Sequence, residues 1–373
     1  MEILKREIQN RIEEKLFKGK VIIVYGPRQV GKTTLIKEII KNYPDCLSLN
    51  CDEPDIREAL SNKNSTELGF LVKNYKLVFI DEAQRVSNIG LTLKLLNDNF
   101  KDVQIIATGS SSFELADKIE EPLTGRFYDF FLTPFSMKEL SSKYSLIELK
   151  RIIEKRIIFG MYPEVVLKED EDLLRNIAKN YLYKDVFKYD NIKKPEILEK
   201  ILQALALQIG NEVSYSEISR LIGVDKNTVK NYINILEKAF IIFKLKPYNK
   251  NLRTELRKLR KIYFYDTGIR NAVINNFNNF NLRNDKGALW ENFLISERIK
   301  GNYNQNKNIN NYFWRTHEKK EIDYLEKIND SLYAYEFKFG DKKKGAFSLF
   351  SETYKNSHYE IVNADNFLDF ILG

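Results

Sequence analysis

The sequence predicts an α/β fold built on a parallel sheet, and three observations carry that expectation. Apolar runs of strand length, VIIVYG, LVFIDEA and VQIIATG, recur in the first third of the chain, helix-patterned stretches separate them, and a glycine-bearing turn joins the first run to its helix. Runs this apolar belong to strands covered by helices on both faces, the doubly wound arrangement. At 373 residues the chain exceeds one ordinary core, so further compact units are expected after this one.

Composition sets the outer limits. With 43% apolar and 13% aromatic residues, the chain has material for packed cores and does not read as disordered. A formal charge of +8 favours phosphate-bearing partners without identifying one. Cys46 and Cys51 are too few for a disulfide scaffold or a zinc site, which fits a reducing cytosol and a cytoplasmic protein. No apolar run approaches the ~18 residues of a membrane span. Met1 to Lys20 is amphipathic, with Leu4, Ile8, Ile12 and Leu16 stepping as one helical face, so secretion and membrane insertion are not expected. His317 and His358 stand alone, and histidine chemistry is not expected.

The first unit, residues 1–135, carries the sharpest signal. In VIIVYGPRQVGKTT the spacing G-x-x-x-x-G-K-T runs from Gly26 to Thr33, between a predicted strand and a predicted helix. That is the context a phosphate-binding loop requires. Gly26 and Gly31 let the loop wrap a polyphosphate, so that main-chain N–H groups of Pro27–Thr34 (Arg28, Gln29 and Val30 among them, proline excepted) and the positive helix end face its oxygens. Lys32 is placed for the β- and γ-phosphates, the Thr33 hydroxyl for Mg²⁺, and Thr34 for the α-phosphate of ATP. LVFIDEA ends in Asp81, expected to hold Mg²⁺ through water, and Glu82, expected to orient and deprotonate the attacking water as the catalytic base. Thr108 or Ser110, after VQIIA, would supply a polar sensor, the rival reading of GSSS being an ordinary serine-rich loop with Ser111. Arg126 in LTGRF would stabilise transition-state charge or, equally, form a surface salt bridge.

Residues 136–195 read as a helical lid or connector punctuated by Pro163 and Pro195. Residues 196–266 show a long helix to Gly210, a short helix SEISRLIG, the turn GVDKN and a helix TVKNYINILEKAF, then strands IIFKLK and KIYFYD. This is the pattern of a winged helix-turn-helix. Lys244, Lys246, Lys250, Arg253, Arg257, Lys258, Arg260 and Lys261 face a single acid, Glu255, across this stretch. With Lys226, Asn227, Thr228 and Lys230 opening the third helix, they suggest a surface for duplex DNA. The alternative is a packing module with a solvated connector.

Residues 267–373 contain Asn-rich stretches near 275–284 and 302–311, a helix around Trp290, and EIDYLEKINDSLYAYEFKFG, which reads as a hairpin turning at Asn329 and Asp330. Asp323 on one strand would meet Glu336 and Lys338, which share one face of the next. Glu291 would contribute from the helix. Two carboxylates with a lysine suit Mg²⁺ and phosphodiester hydrolysis, and the spacing is that of the D and E-x-K pattern of restriction-endonuclease-like α/β folds. Ordinary charges on a solvent-facing strand are the rival reading.

Taken together, GPRQVGKTT, FIDEAQ, ATGSSS, LTGRF, GALWENF, FWRTHEKKEIDY and YEFKFG give the whole chain a resemblance to archaeal and bacterial AAA-type P-loop ATPases with a C-terminal domain of unknown function. That domain combines a winged helix and a restriction-endonuclease-like fold. The resemblance implies ATP binding by Lys32, Thr33, Asp81 and Glu82, and nuclease-like positions for Asp323, Glu336 and Lys338. Three functions follow: an ATPase that rearranges a DNA-facing arm, a nucleotide-gated nuclease, and an ATP-controlled module that only grips DNA, a protein partner or a second copy.

Overall fold

The structure is a computed structural model that describes residues 3–109, 122–168, 170–181, 194–249, 260–316, 318, 320–340 and 347–373. It divides into one unit of Met1–Pro134 with Lys238–Phe240, and a second of Phe135–Glu237 with Ile241–Gly373. No helix among the described residues is long and apolar enough to cross a membrane.

In the first unit, helix α1 (Ile8–Glu13) precedes strand β1 (Val21–Tyr25), helix α2 (Lys32–Ile40) and strand β2 (Cys46–Asn50). Helices α3 (Pro54–Leu60) and α4 (Ser65–Val72) lead to strand β3 (Leu77–Asp81), helix α5 (Ile89–Asn99) and strands β4 (Gln104–Gly109) and β5 (Phe127–Phe131). The strands form a five-stranded sheet in the order β2-β3-β4-β1-β5. Every pairing is parallel, as the continuous apolar runs predict. Val21 to Val24 and Leu77 to Ile80 are fully buried, whereas β2 and β5 lie at the two edges and are partly exposed. Leu4, Ile8, Ile12 and Leu16 are all buried, so the four-residue stripe does face the core. Local signals set helix ends. Asn64 accepts from the Glu67 N–H at 3.0 Å while Glu67 accepts from the Asn64 N–H at 2.9 Å, a reciprocal cap that starts α4.

The second unit begins with helices α6 (Met137–Leu140), α7 (Leu146–Phe159), α8 (Pro163–Lys168) and α9 (Glu171–Tyr181). Next come helix α10 (Pro195–Leu207), strand β6 (Glu212–Val213), helices α11 (Tyr215–Ile222) and α12 (Lys226–Lys238), and strands β7 (Ile242–Pro247) and β8 (Arg260–Phe264). Helices α13 (Thr267–Val273) and α14 (Lys286–Asn304) are followed by strands β9 (Asn310–Arg315), β10 (Glu321–Ile328) and β11 (Ser331–Phe337). Helix α15 (Phe347–Thr353), strand β12 (Ser357–Val362) and helix α16 (Phe367–Leu372) end the chain. Both Pro163 and Pro195 open helices, where a missing N–H costs nothing. The β10–β11 hairpin turns at Asn329 and Asp330, with Ile328 opposite Ser331. Asn329 takes the left-handed conformation, φ 53°, that a tight hairpin asks of an Asn.

One pairing has no signal in the local pattern. β7 runs parallel to β9 through Lys246 opposite Tyr312 and Pro247 opposite Phe313. The sheet therefore has seven strands in the order β12-β11-β10-β9-β7-β8-β6, and the boundary expected at residue 266 falls inside it. β9 covers the edge that β7 would otherwise leave with unsatisfied backbone groups.

Helix α14 is held to this sheet by charge as well as by apolar packing. The Arg298 guanidinium meets both carboxylate oxygens of Glu326 at 2.9 Å, Asn302 adds a bond of 2.7 Å, and Glu326 is fully buried. Removing one partner of a buried pair costs about 3–5 kcal/mol, whereas removing both is close to neutral. Arg298→Ala is therefore expected to lower the melting temperature, and Arg298→Met with Glu326→Leu to recover most of the loss. Thermal melts of the single and double variants check this; equal losses would show that packing, not charge, holds the contact.

Candidate functional site

Between β1 and α2 the chain turns through Gly26–Gly31. A side chain at Gly26 is impossible, since a Cβ there would lie 2.2 Å from the Leu132 carbonyl oxygen, so the loop approaches the end of β5 as only glycine allows. Gly31 takes φ 92° at the mouth of α2, and Gln29 takes φ 62°. Pro27 and Val30 are buried, Arg28 is partly exposed, and Gln29 and Thr34 face solvent. The Lys32 ammonium is buried and donates to the Gly26 and Pro27 carbonyls at 2.9 Å each. Arg6, which the amphipathic pattern of the N-terminus concealed, braces the loop: its guanidinium donates to Val30 O at 2.8 Å and Thr133 O at 2.6 Å.

The strand order puts β4 between β1 and β3, so the carboxyl ends of all three lie beside this loop. There Asp81 accepts from both flanking hydroxyls. Thr33 Oγ1 donates to Oδ2 at 2.8 Å, and Thr108 donates to Oδ1. The Thr33 and Asp81 oxygens form the hard, oxygen-only donor pair that magnesium prefers, so these residues fit the ion. Glu82 follows in a left-handed conformation, φ 52°, and Gln84 Nε2 donates to its carboxylate at 2.6 Å. Gln84 is a further residue that motif reading passed over. Cys51, whose N–H donates to Asp81 O at 3.0 Å, is a buried thiol pushed up to about 12, chiefly by burial and then by the Asp81 charge.

Arg126 is not brought to this edge. Val21 N–H donates to Arg126 O at 2.9 Å, which puts Arg126 where β1 begins, about 16 Å from the strand end at a rise of ~3.3 Å per residue. Its guanidinium pairs with Asp98 at 2.9 Å, both side chains being substantially exposed. The salt-bridge reading is the one its position supports. Ser110 and Ser111 lie outside the described residues.

The C-terminal carboxylates do gather, but around lysines. Lys261 on β8 is 1% exposed, and its ammonium lies 2.9 Å from Glu291 on α14 and in contact with Glu321 on β10. Tyr263, two residues along the same face, donates its hydroxyl to Glu291. Asp323 accepts the Phe337 N–H at 2.9 Å. Glu336 is bound by Lys338 at 2.7 Å and by the Tyr359 hydroxyl. Lys338 is also close enough to feel the charges of Asp323 and Glu291. Lys261, Glu321, Tyr263 and Tyr359 were not foreseen at this site; the one hint was a lysine at the head of the aromatic-rich KIYFYD run. His358 stacks on Tyr333, and His317 lies outside the described residues.

On α12, Lys226, Asn227, Lys230 and Asn231 are exposed, while Val229, Tyr232, Ile233 and Leu236 are buried. Asp225 caps this helix by accepting the Thr228 N–H at 2.9 Å. The expected basic surface is smaller than the sequence count suggests. Lys261 is buried, and Lys244 is held by Asn234 and Glu237 at 2.6 Å each. Lys246 is exposed and Arg260 half-buried. Lys250, Arg253, Arg257 and Lys258 lie outside the described residues.

Residues 18–141 match the AAA domain, and residues 286–367 a domain of unknown function (DUF4143). The first third of the chain is thus similar to AAA domains and its last part to a domain of unknown function. Residues 150–279 match a further domain of unknown function (DUF8612). An uncharacterized protein of Methanocaldococcus jannaschii is 29% identical over 98% of this chain and 90% of its own length. One of Mycobacterium tuberculosis is 26% identical over 91% of this chain and 74% of its own. A solved Walker-type ATPase of Pyrococcus abyssi aligns with 73% of this chain and 96% of its own at 17% identity, with a TM-score of 0.49. The stretch that matches the AAA domain contains the whole edge from Gly26 to Thr108.

The Asp323 carboxyl is raised from 3.8 to about 7, first by burial and then by the Glu291 charge, against the pull of Lys261, the Phe337 N–H and Lys338. A carboxyl raised in the folded state stabilises it below the unfolded pKa, and that contribution is lost as pH climbs through the folded value. The Asp323 contribution is thus expected to fall between pH 3.8 and about 7. Asp323→Asn, which cannot ionise, should flatten that part of the stability profile and melt above the wild type on the alkaline side. Thermal melts across neutral pH check this, and an unchanged profile would assign the dependence to another group.

Proposed function

We propose that this protein binds magnesium ATP at Gly26–Thr34, hydrolyses it, and uses the cycle to change the hold of a duplex-DNA-binding surface on α12. The observation that carries the ATPase reading is Asp81, gripped by the hydroxyls of Thr33 and Thr108 at the edge where Lys32 waits. In this reading Lys32 binds the β- and γ-phosphates, while Thr33 and Asp81 hold magnesium, which when bound neutralises charge on the transferring phosphoryl group. Glu82, steadied by Gln84, orients and deprotonates the attacking water. Thr108 reports on the state of Asp81.

The DNA reading is supported by the helix, turn and helix of α11 and α12, by the β7–β8 hairpin that follows as a wing would, and by the run of lysines and asparagines on the solvent face of α12. A cytoplasmic location fits the free thiols of Cys46 and Cys51.

Lys32→Ala is expected to abolish ATP binding, and Glu82→Gln to keep binding while slowing turnover at least a hundredfold, in the range of lost general-base catalysis of ~10²–10⁴. Equilibrium binding and single-turnover hydrolysis separate the two. Undiminished turnover in Glu82→Gln would remove the base. For DNA, Lys226→Gln with Lys230→Gln should weaken duplex binding at low salt and reduce the slope of log affinity against log salt by about 2, at ~0.9 per phosphate contact. An unchanged slope would take α12 out of the interface.

A further inference from the structure

The acidic cluster of the C-terminal strands has the residue types of a metal site but not its arrangement. A magnesium ion needs lone pairs aimed at one point with ligands at about 2.0–2.1 Å. Here protein hydrogens already engage one or both oxygens of each carboxylate. Glu291 accepts from Lys261 at 2.9 Å and from Tyr263. Glu321 meets Lys261 and, at 3.3 Å, Arg315. Asp323 accepts a main-chain N–H at 2.9 Å, and Glu336 is taken by Lys338 and Tyr359. Among the described residues no three His, Cys, Asp or Glu side chains are grouped to hold a metal ion.

We infer that Lys261 is the resident cation of this pocket: its ammonium takes the place a divalent ion would need between Glu291 and Glu321, so that the C-terminal domain keeps its acidic cluster closed without a metal. The position of Lys261 carries this. It is a strand residue, 1% exposed, packed with the Phe313 ring 5.6 Å from its ammonium. A buried ammonium persists only where its desolvation is offset by close partners. The carboxylates Glu291 on α14 and Glu321 on β10 are those partners, and Glu291 is one of the residues a nuclease would reserve for its ion. With the lysine in place, a divalent cation would have to enter beside a fixed positive charge and displace hydrogen bonds already made. Without the lysine, Glu291 and Glu321 lose their shared partner, Tyr263 and Arg315 alone remain beside them, and a divalent cation becomes the group that relieves them. The role is therefore positional and electrostatic, and it predicts a C-terminal domain that carries out no metal-dependent cleavage at this cluster.

The test uses full-length, nucleotide-free protein with Asp81→Asn throughout, so that the P-loop contributes no cation ligand. The probe is Mn²⁺, followed by electron paramagnetic resonance and by thermal melting. The otherwise wild-type chain is expected to bind no Mn²⁺ below millimolar concentration and to melt at the same temperature with and without it. Lys261→Met is expected to melt lower in the absence of metal, to bind one Mn²⁺ at least tenfold more tightly, and to regain melting temperature as Mn²⁺ is added. Lys261→Arg, which keeps a monovalent charge, should stay metal-free. Submillimolar Mn²⁺ binding by the chain with Lys261 intact, lost on Asp323→Asn, would overturn the inference. So would a folded Lys261→Met that ignores Mn²⁺. Should Lys261→Met fail to fold even with metal, the chain with Lys261 intact decides the matter: binding overturns the assignment, and its absence supports it.

Discussion

Because every strand of the N-terminal sheet points the same way, the ends of β1, β3 and β4 meet along one edge, and the nucleotide chemistry proposed for it depends on that constraint. A loop of glycines, a carboxylate after one strand and a hydroxyl on another come from stretches far apart in the chain. Parallel alignment makes them neighbours. Asp81 shows the result most directly, since one hydroxyl reaches it from the helix after β1 and another from β4. The same constraint explains why Arg126 stays away. A residue that precedes a parallel strand belongs to the opposite end of the sheet.

Charge burial organises the second unit. Helix α14 carries alternating commitments along its length: Glu291 to Lys261 and Tyr263, Glu297 to Lys300 at 2.8 Å, and Arg298 to Glu326. Lys300 also donates to the Phe135 carbonyl at 3.2 Å and Glu297 accepts the Met137 N–H at 2.5 Å, so the start of the unit is anchored on the same helix. An ordinary apolar stripe would bind the helix less specifically. Each buried charge accepts one partner geometry, which fixes rotation and register.

What was legible in the sequence follows from how local each feature is. The run VIIVYGPRQVGKTT compresses strand, loop and helix into one short stretch, and the loop is where it was expected. The Asn329 turn and the helices opened by Pro163 and Pro195 are local in the same sense. For Arg126 the motif left two readings level, because the direction of the strand after it is not part of the motif. Lys261 was counted with an exposed basic stretch because its partners, Glu291 and Glu321, lie thirty and sixty residues farther on. Arg6 and Gln84 brace the loop and Glu82 through contacts that periodicity does not register. The β7–β9 pairing rests on two residue pairs across a long stretch of chain, and no pattern of alternation announces which edge a strand will choose.

That pairing bears on how the C-terminal region would behave once cut free. A fragment starting after β8 would carry β9 with one flank stripped of its partner, an open template for joining other chains. It would also carry Glu291 and Glu321 with their ammonium left behind on the missing strand. The smallest piece able to stand alone therefore reaches back beyond the β7–β8 hairpin, and solubility on excision would track where the scissors fall, not where sequence similarity begins.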